Sequence, residues 1–342
     1  MFKILALSRI KNKSLKTVKI LNFMERKLVQ KQIIPKKYKF HQALLEVILS
    51  MNLSEYSNKK GNKKFTTKQK LAVVILYFRS QKSLRDFCFE LKYESLWPRL
   101  LKLKYEINKS TLNSWVKLFD LKFIRELIEK TNQKLKPKIM AIDGTGIDTD
   151  YKSKYFQKRL NEFGKKPKSN YHKLDVIIDV KTKLILDYVF LLKQRHDAYV
   201  GEKIFKRLKF QGDILADKGY DSEKLHKICK DKNSNLISPM RKFTKNRNFG
   251  FRFENKINFD KEKYNLRNNV EGTFSTFKRK YLGKMKSKNH MTKKREMGFK
   301  ILLYNLNFFL TKLFFWFNIC FPQKQNLEFI KMSNQILFFA NI

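Results

Sequence analysis

Tyr264, Arg267, Glu271 and Lys278 stand at positions i, i+3, i+7 and i+14 of one polar stretch, YNLRNNVEGTFSTFK (264–278). At 100° per residue those offsets fall within roughly 60° of one another on a helix. One carboxylate would then be flanked by a phenol and two cations on a single face. That is suitable chemistry for a metal ligand placed beside phosphates. A chain with 76 lysines and arginines also produces such faces by chance, as ordinary solvated helix residues.

Two earlier stretches, IMAIDGTGIDTD (139–150) and GDILADKGYDS (212–222), each carry an aspartate that closes a short apolar run. Asp143 and Asp217 are therefore expected at strand ends. Asp148, Asp150, Asp175 and Asp179 also fall in or beside apolar runs and compete for the same roles. Asp197 reads as a cap for a helix beginning at Ala198, and Asp221 as a cap for a helix at 222. Gly219 suits a tight backbone between them.

Asp143, Asp217 and Glu271 resemble the acidic triad of insertion-sequence DDE transposases. Tyr-x2-Arg-x3-Glu-x6-Lys matches the signature of one large subgroup of them, named YREK after those residues. The wording DGTGID, ADKGYDS and VEGTFSTFKRK is similar to its bacterial and archaeal branch, over about residues 65–310. The resemblance implies an RNase H-like fold and cleavage and joining of DNA: water cuts a transposon end, and the freed 3′-hydroxyl attacks target DNA. Such chemistry uses two hard cations about 3.5–4 Å apart, and Mg2+ or Mn2+ suits carboxylate oxygens. By this resemblance Asp143 would bridge both ions, with Asp217 and Glu271 each completing one. Arg267 and Lys278, with Arg279 and Lys280 beside them, would hold end phosphates, and Tyr264 would pack on sugar or base. The implied partners are the terminal inverted repeats, target DNA and a second copy of the chain, in a prokaryotic cytoplasm at the nucleoid.

The charge balance is consistent with a polyanionic partner. Against 76 Lys+Arg there are 30 Asp+Glu, a net charge of +46 on 342 residues, with a pI near 10.1. Nucleic acid is the commonest partner for such a surplus. Cys88, Cys229 and Cys320 form no CxxC and read as buried small hydrophobes in a reducing compartment. The opening MFKILALSRIKNK is broken by lysines too early for a secretory signal. Ile301–Gln323 is the one membrane candidate, and Lys312 in its middle, at about 2.5–3.5 kcal/mol, favours a helix packed on a core.

To position the acidic residues, the chain must supply strands and helices in order. Residues 1–64 form a basic lead. In 65–135 the pattern is helical, with Leu71, Val74, Ile75 and Phe78 on one face and Ser110 capping STLNSWVKLF. Two short helices before this third suggest a helix-turn-helix, with Lys109, Thr111, Asn113 and Lys117 facing DNA; a merely supporting bundle is the other reading. Residues 136–312 then give strands at 138–147, 173–180 and 183–192, a helix at 198–209, a strand at 213–217, a helix at 222–232 and a strand at 235–239. A basic aromatic loop at 240–263 precedes a long final helix, and 313–342 is an apolar tail. This order predicts an α/β protein: an RNase H-like domain, with a mixed five-stranded sheet and flanking helices, behind an all-α region. Two alternatives remain open at this point. One is a nuclease on the same fold that only hydrolyses DNA, and the other is a basic binding protein with a decayed site.

Overall fold

In a computed structural model, residues 44–320 are described, apart from 46, 58–62, 96, 134, 149–158, 160–161, 165–170, 242–248 and 284. The basic lead through residue 43, Asp150, Lys284 and the tail from residue 321 lie outside the described residues.

Helix α1 (Thr67–Ser80) starts at a reciprocal cap. The Gln69 amide donates to the Thr66 hydroxyl, and the Thr66 amide donates to the Gln69 side chain, so two donors that the first turn leaves open are satisfied. Leu71, Val74, Ile75 and Phe78 are buried as the spacing predicts, but so are Ala72, Val73 and Leu76. The helix is enclosed on all sides rather than laid on a surface. Around it pack α2 (Leu84–Tyr93), which carries the short α3 (Trp97–Leu100), and α4 (Lys109–Leu118). Ser110 does not cap α4: the helix begins one residue earlier, after Asn108, and Ser110 lies exposed in its first turn. Residues 94–108 separate α2 from α4, a longer connection than the three- to four-residue turn of a helix-turn-helix. Helix α5 (Leu121–Thr131) then packs on the sheet.

The sheet is built from β1 (Ile139–Asp148), β2 (Tyr171–Asp179), β3 (Ile185–Leu191), β4 (Asp213–Ala216) and β5 (Asn235–Ile237). Its order is β3-β2-β1-β4-β5. The first three strands are antiparallel, and β4 and β5 run parallel to β1. This is the RNase H-like arrangement. Helix α6 (Asp197–Arg207) and helix α7 (Glu223–Lys230) provide the crossovers, with a 3-10 turn at Lys218–Tyr220 between β4 and α7. Alternation sorts the strand residues between two buried faces. Met140, Ile142, Ile177, Ile214 and Ala216 join Val200, Ile204, Phe205, Leu225 and Cys229 in one core. Ala141, Val176, Ile178 and Leu215, one step out of phase, are buried outside that core.

The stretch 264–278 is not one uniform helix. After α8 (Phe251–Ile257), the chain enters it at the end of α9 (Lys261–Asn265) and passes through a 3-10 turn at Leu266–Asn268 and α10 (Asn269–Phe277) to a π-helical turn at Lys278–Leu282. Helix α8 lies inside the segment expected to be a loop. Phe251 and Arg252 amides donate to the Glu223 carboxylate at 2.8 and 3.2 Å, and Arg252 pairs with Asp221, so this helix is held by α7 rather than by its own pattern. Helix α11 (His290–Cys320) closes the order. Its Ile301, Leu302, Leu303 and Leu306 are buried, and among the described residues no helix is long and apolar enough to cross a membrane. Cys229 is buried, which pushes its thiol up to about 12.

Candidate active site

Asp143 lies inside β1, not at its end, because β1 runs on to Asp148 in its pairing with β2. What ends beside Asp143 is the shorter β4: the parallel ladder pairs Ile142 with Ala216 and stops. Asp217 is the next residue, at a strand end as expected, so the two aspartates stand one strand spacing, about 4.8 Å, apart at the backbone. Each turns one oxygen back on the following amide. Gly144 N donates to Asp143 Oδ1 at 2.8 Å and Lys218 N to Asp217 Oδ1 at 2.7 Å.

The second oxygen of Asp143 accepts from Arg267 Nη1 at 3.0 Å, while Arg267 Nη2 reaches Glu271 Oε1 at 3.3 Å. Arg267 Nε is buried without a partner among the described residues. The guanidinium lies 5.9 Å from the Tyr264 ring centre, so Tyr264, Arg267, Glu271 and Asp143 form one cluster. Glu271 is open, with 61% of its side chain exposed against 22% for Asp143. Burial raises the Asp143 carboxyl above its ordinary value, and the charges of Asp217 and Glu271 add to this, against the Gly144 amide and Arg267. Burial would lower the Arg267 pKa, but the surrounding acids, Asp143 foremost, carry it upward.

Two aspartates at neighbouring strands and a glutamate bound through one guanidinium form a donor set of carboxylate oxygens suited to hard divalent cations. Among the described residues no three His, Cys, Asp or Glu side chains are gathered to enclose an ion; Arg267 is the cation that joins Asp143 to Glu271. The residues fit a metal on the chemistry of these donors, with the guanidinium displaced. Lys278, Arg279 and Lys280 follow on the exposed π turn. On α4, Lys109 and Lys117 are exposed and Thr111 and Asn113 half-buried, within the helical unit around α1.

Beneath the acids lies a polar group that sequence reasoning did not assemble. Asp175 on β2 is fully buried and accepts from the Tyr220 hydroxyl at 2.7 Å, with Lys173 Nζ at 3.4 Å. Asp197 does not cap α6. His196 does, accepting from the Ala198 amide at 3.4 Å, and Asp197 instead pairs with Lys173 and lies against Gly219. Asp221 likewise is no helix cap: it is buried and paired with Arg252, and hydrogen bonds from His226, Arg252 and the Arg241 amide hold its carboxyl well below the usual range despite burial. Arg241 also donates to the Lys218 and Gly219 carbonyls at 2.7 and 2.9 Å, clamping the turn that follows Asp217. One visible sign was an acid, Asp175, set between the apolar residues of KLDVIID.

Residues 134–306 match the family model described as "Transposase DDE domain". A solved structure, the cryo-EM structure of the piggyBac transposase synaptic complex with hairpin DNA, aligns at 12% identity and a TM-score of 0.41, covering 79% of this chain and 70% of that one. No curated protein sequence matches. The family match takes in the whole sheet, from Asp143 on β1 to Glu271 on α10, and spans half of the chain; the protein belongs to the transposase DDE-domain family.

Proposed function

We propose that this chain is a transposase of the YREK subgroup whose Asp143, Asp217 and Glu271 hold two divalent cations, Mg2+ or Mn2+, for cutting and rejoining DNA. The observation that carries the reading is the Arg267 bridge between Asp143 and Glu271 beside the Asp217 strand end. It draws acids from the sheet and from a later helix around one positive charge. Bound metal would supply Lewis acidity at phosphate oxygens and activate the attacking hydroxyl. The chain's own residues do the remainder. Asp143 and Asp217, backed by their neighbouring amides, present oxygens from the middle of the sheet, where β4 ends beside β1, and Glu271 presents its carboxylate from an exposed helix face. Arg267, released from the acids, is placed for a phosphate as a charge-assisted partner. Lys278, Arg279 and Lys280 grip the backbone further along, and Tyr264 packs on sugar or base. The substrates are the inverted repeats of a mobile element and target DNA, held by two copies of the chain, with Lys109, Thr111, Asn113 and Lys117 reading DNA from α4. The bacterial and archaeal wording of the motifs supports a prokaryotic nucleoid as the setting.

Glu271→Gln keeps size and helical preference but removes the charge that holds a cation. Cleavage of end DNA should collapse while gel-shift affinity survives. Lys278→Ala should leave the acids intact and weaken end binding by about 1.5–3 kcal/mol, the range for a charged hydrogen bond. Equal loss of both activities in both variants would show that this segment holds the fold rather than the reaction. A wild-type chain that cuts with metal but never joins ends would leave a nuclease.

A further inference from the structure

The sheet carries a second layer of polar residues directly behind the acids. Asp175 stands opposite Gly144 in the β1–β2 ladder, next to Asp143. A Cβ on Gly144 would come 2.7 Å from Asp175 Oδ1 and 3.1 Å from the Lys173 side chain, so glycine there lets the buried carboxylate reach the β1 backbone. From the other side, Tyr220 closes the 3-10 turn begun by Asp217, its amide donating to the Asp217 carbonyl at 2.9 Å. Its ring is sealed against Gly201 of α6, where a Cβ would lie 2.9 Å from Tyr220 Cδ1. The Tyr220 hydroxyl thus ties the turn after Asp217 to the strand beside Asp143, across the two strands that carry the acids. Among the described residues Asp175 Oδ2 has no hydrogen-bond partner, so Oδ1, shared by Tyr220 and Lys173, carries its connections.

We propose that Tyr220 and Asp175 are positioning residues for the acidic site: their hydrogen bond fixes where Asp217 stands relative to Asp143. This rests on the metal-binding reading above. Neither residue needs to touch metal or DNA. Outer partners that hold a metal's ligands in place are generally worth 10–100-fold in metal affinity or activity, and here the hold on Asp217 runs through its backbone carbonyl and the Tyr220 amide. Lys173, held by Asp197 and by the Arg195 carbonyl at 3.0 Å, supports the assembly from the α6 side.

The test uses the full chain and Mn2+ titrated by electron paramagnetic resonance without DNA, beside kcat and KM for end-DNA cleavage and a thermal melt without metal. Tyr220→Phe keeps the ring and removes only the hydroxyl. It should weaken Mn2+ binding and lower kcat by about tenfold or more, with KM for DNA unchanged. Asp175→Asn keeps an acceptor for the Tyr220 hydroxyl and should restore both quantities to within a few-fold of wild type. A folded Tyr220→Phe chain with wild-type Mn2+ affinity and kcat overturns the proposal. So does an Asp175→Asn chain as impaired as Tyr220→Phe is expected to be, since charge and not the hydrogen bond would then matter; this second arm decides if Tyr220→Phe fails to fold. Failure of the underlying reading looks different: wild-type protein would bind no more Mn2+ than Glu271→Gln.

Discussion

At the scale of single residues, Arg267 is placed between two uses. Its Nη atoms are bound to Asp143 and Glu271 while its Nε is buried without a partner among the described residues, so these contacts balance charge without satisfying every donor. Arg267→Gln removes a cation that competes for the acids. Without DNA, the variant should bind Mn2+ several-fold more tightly, and its affinity for end DNA should fall by about 1.5–3 kcal/mol. Weaker Mn2+ binding in a calorimetric titration would mean that the guanidinium orients the carboxylates instead. Asp175 supplies a pH prediction. Burial, opposed by Tyr220 and Lys173, lifts its carboxyl to about 6. Below about pH 4 both folded and unfolded chains keep the proton, and the stabilising contribution is complete. Between about 4 and 6 only the unfolded chain releases it, so the contribution falls as pH rises and is lost above the folded value. Urea melts should show wild-type stability declining relative to Asp175→Asn across that window and running level beyond it. A parallel pair of curves would place the Asp175 carboxyl at its ordinary value.

At the scale of elements, three are joined through Asn305 of α11. Its Oδ1 accepts from the Ile185 amide at 3.0 Å, and its Nδ2 donates to the Ile185 carbonyl at 2.8 Å and to Thr131 Oγ1 at 3.1 Å. One fully buried amide therefore saturates the start of edge strand β3 and ties it to the end of α5. Asn305→Ala should cost about 1–3 kcal/mol by taking the acceptor from the buried Ile185 amide, while the Ile185 carbonyl keeps Asn132 Nδ2 at 2.9 Å; a loss under about 0.5 kcal/mol in chemical denaturation would show that water or a neighbour replaces it. The strands were legible because alternation and short apolar runs survive in KLDVIID and ILDYVFL. Helix α8 was not, since it depends on Glu223 and Asp221 of a neighbouring element, and its aromatics follow no helical period. The position of Asp143 within its strand was hidden for a related reason: what frees its side chain is the length of β4, seventy residues away in sequence. The candidate acids could be picked out from local words, whereas Lys173, Asp175, Asp197 and Tyr220 carry meaning only once β2, α6 and the Asp217 turn meet.

At the scale of the whole molecule, charge dominates. With a net +46, the proposed binding to DNA would proceed with counterion release, so log K against log salt should slope steeply, at about −0.9 for each phosphate neutralised. Lys278→Ala should make the slope shallower by about one unit, and a slope near zero in the wild-type chain would exclude an extended basic path. The Arg267 contact with Asp143 spans 124 residues, and that distance also sets a time. At the usual ~5–20 residues per second of synthesis, Asp143 is made roughly 6–25 seconds before Arg267 and Glu271. Over the last part of that interval, once Asp217 is made, the nascent chain carries the first helices and both aspartates without Glu271. A chain cut short in that region would keep Asp143 and Asp217 but lack Glu271, so under the proposed reading the late position of α10 makes metal binding the last property of the sheet to be completed.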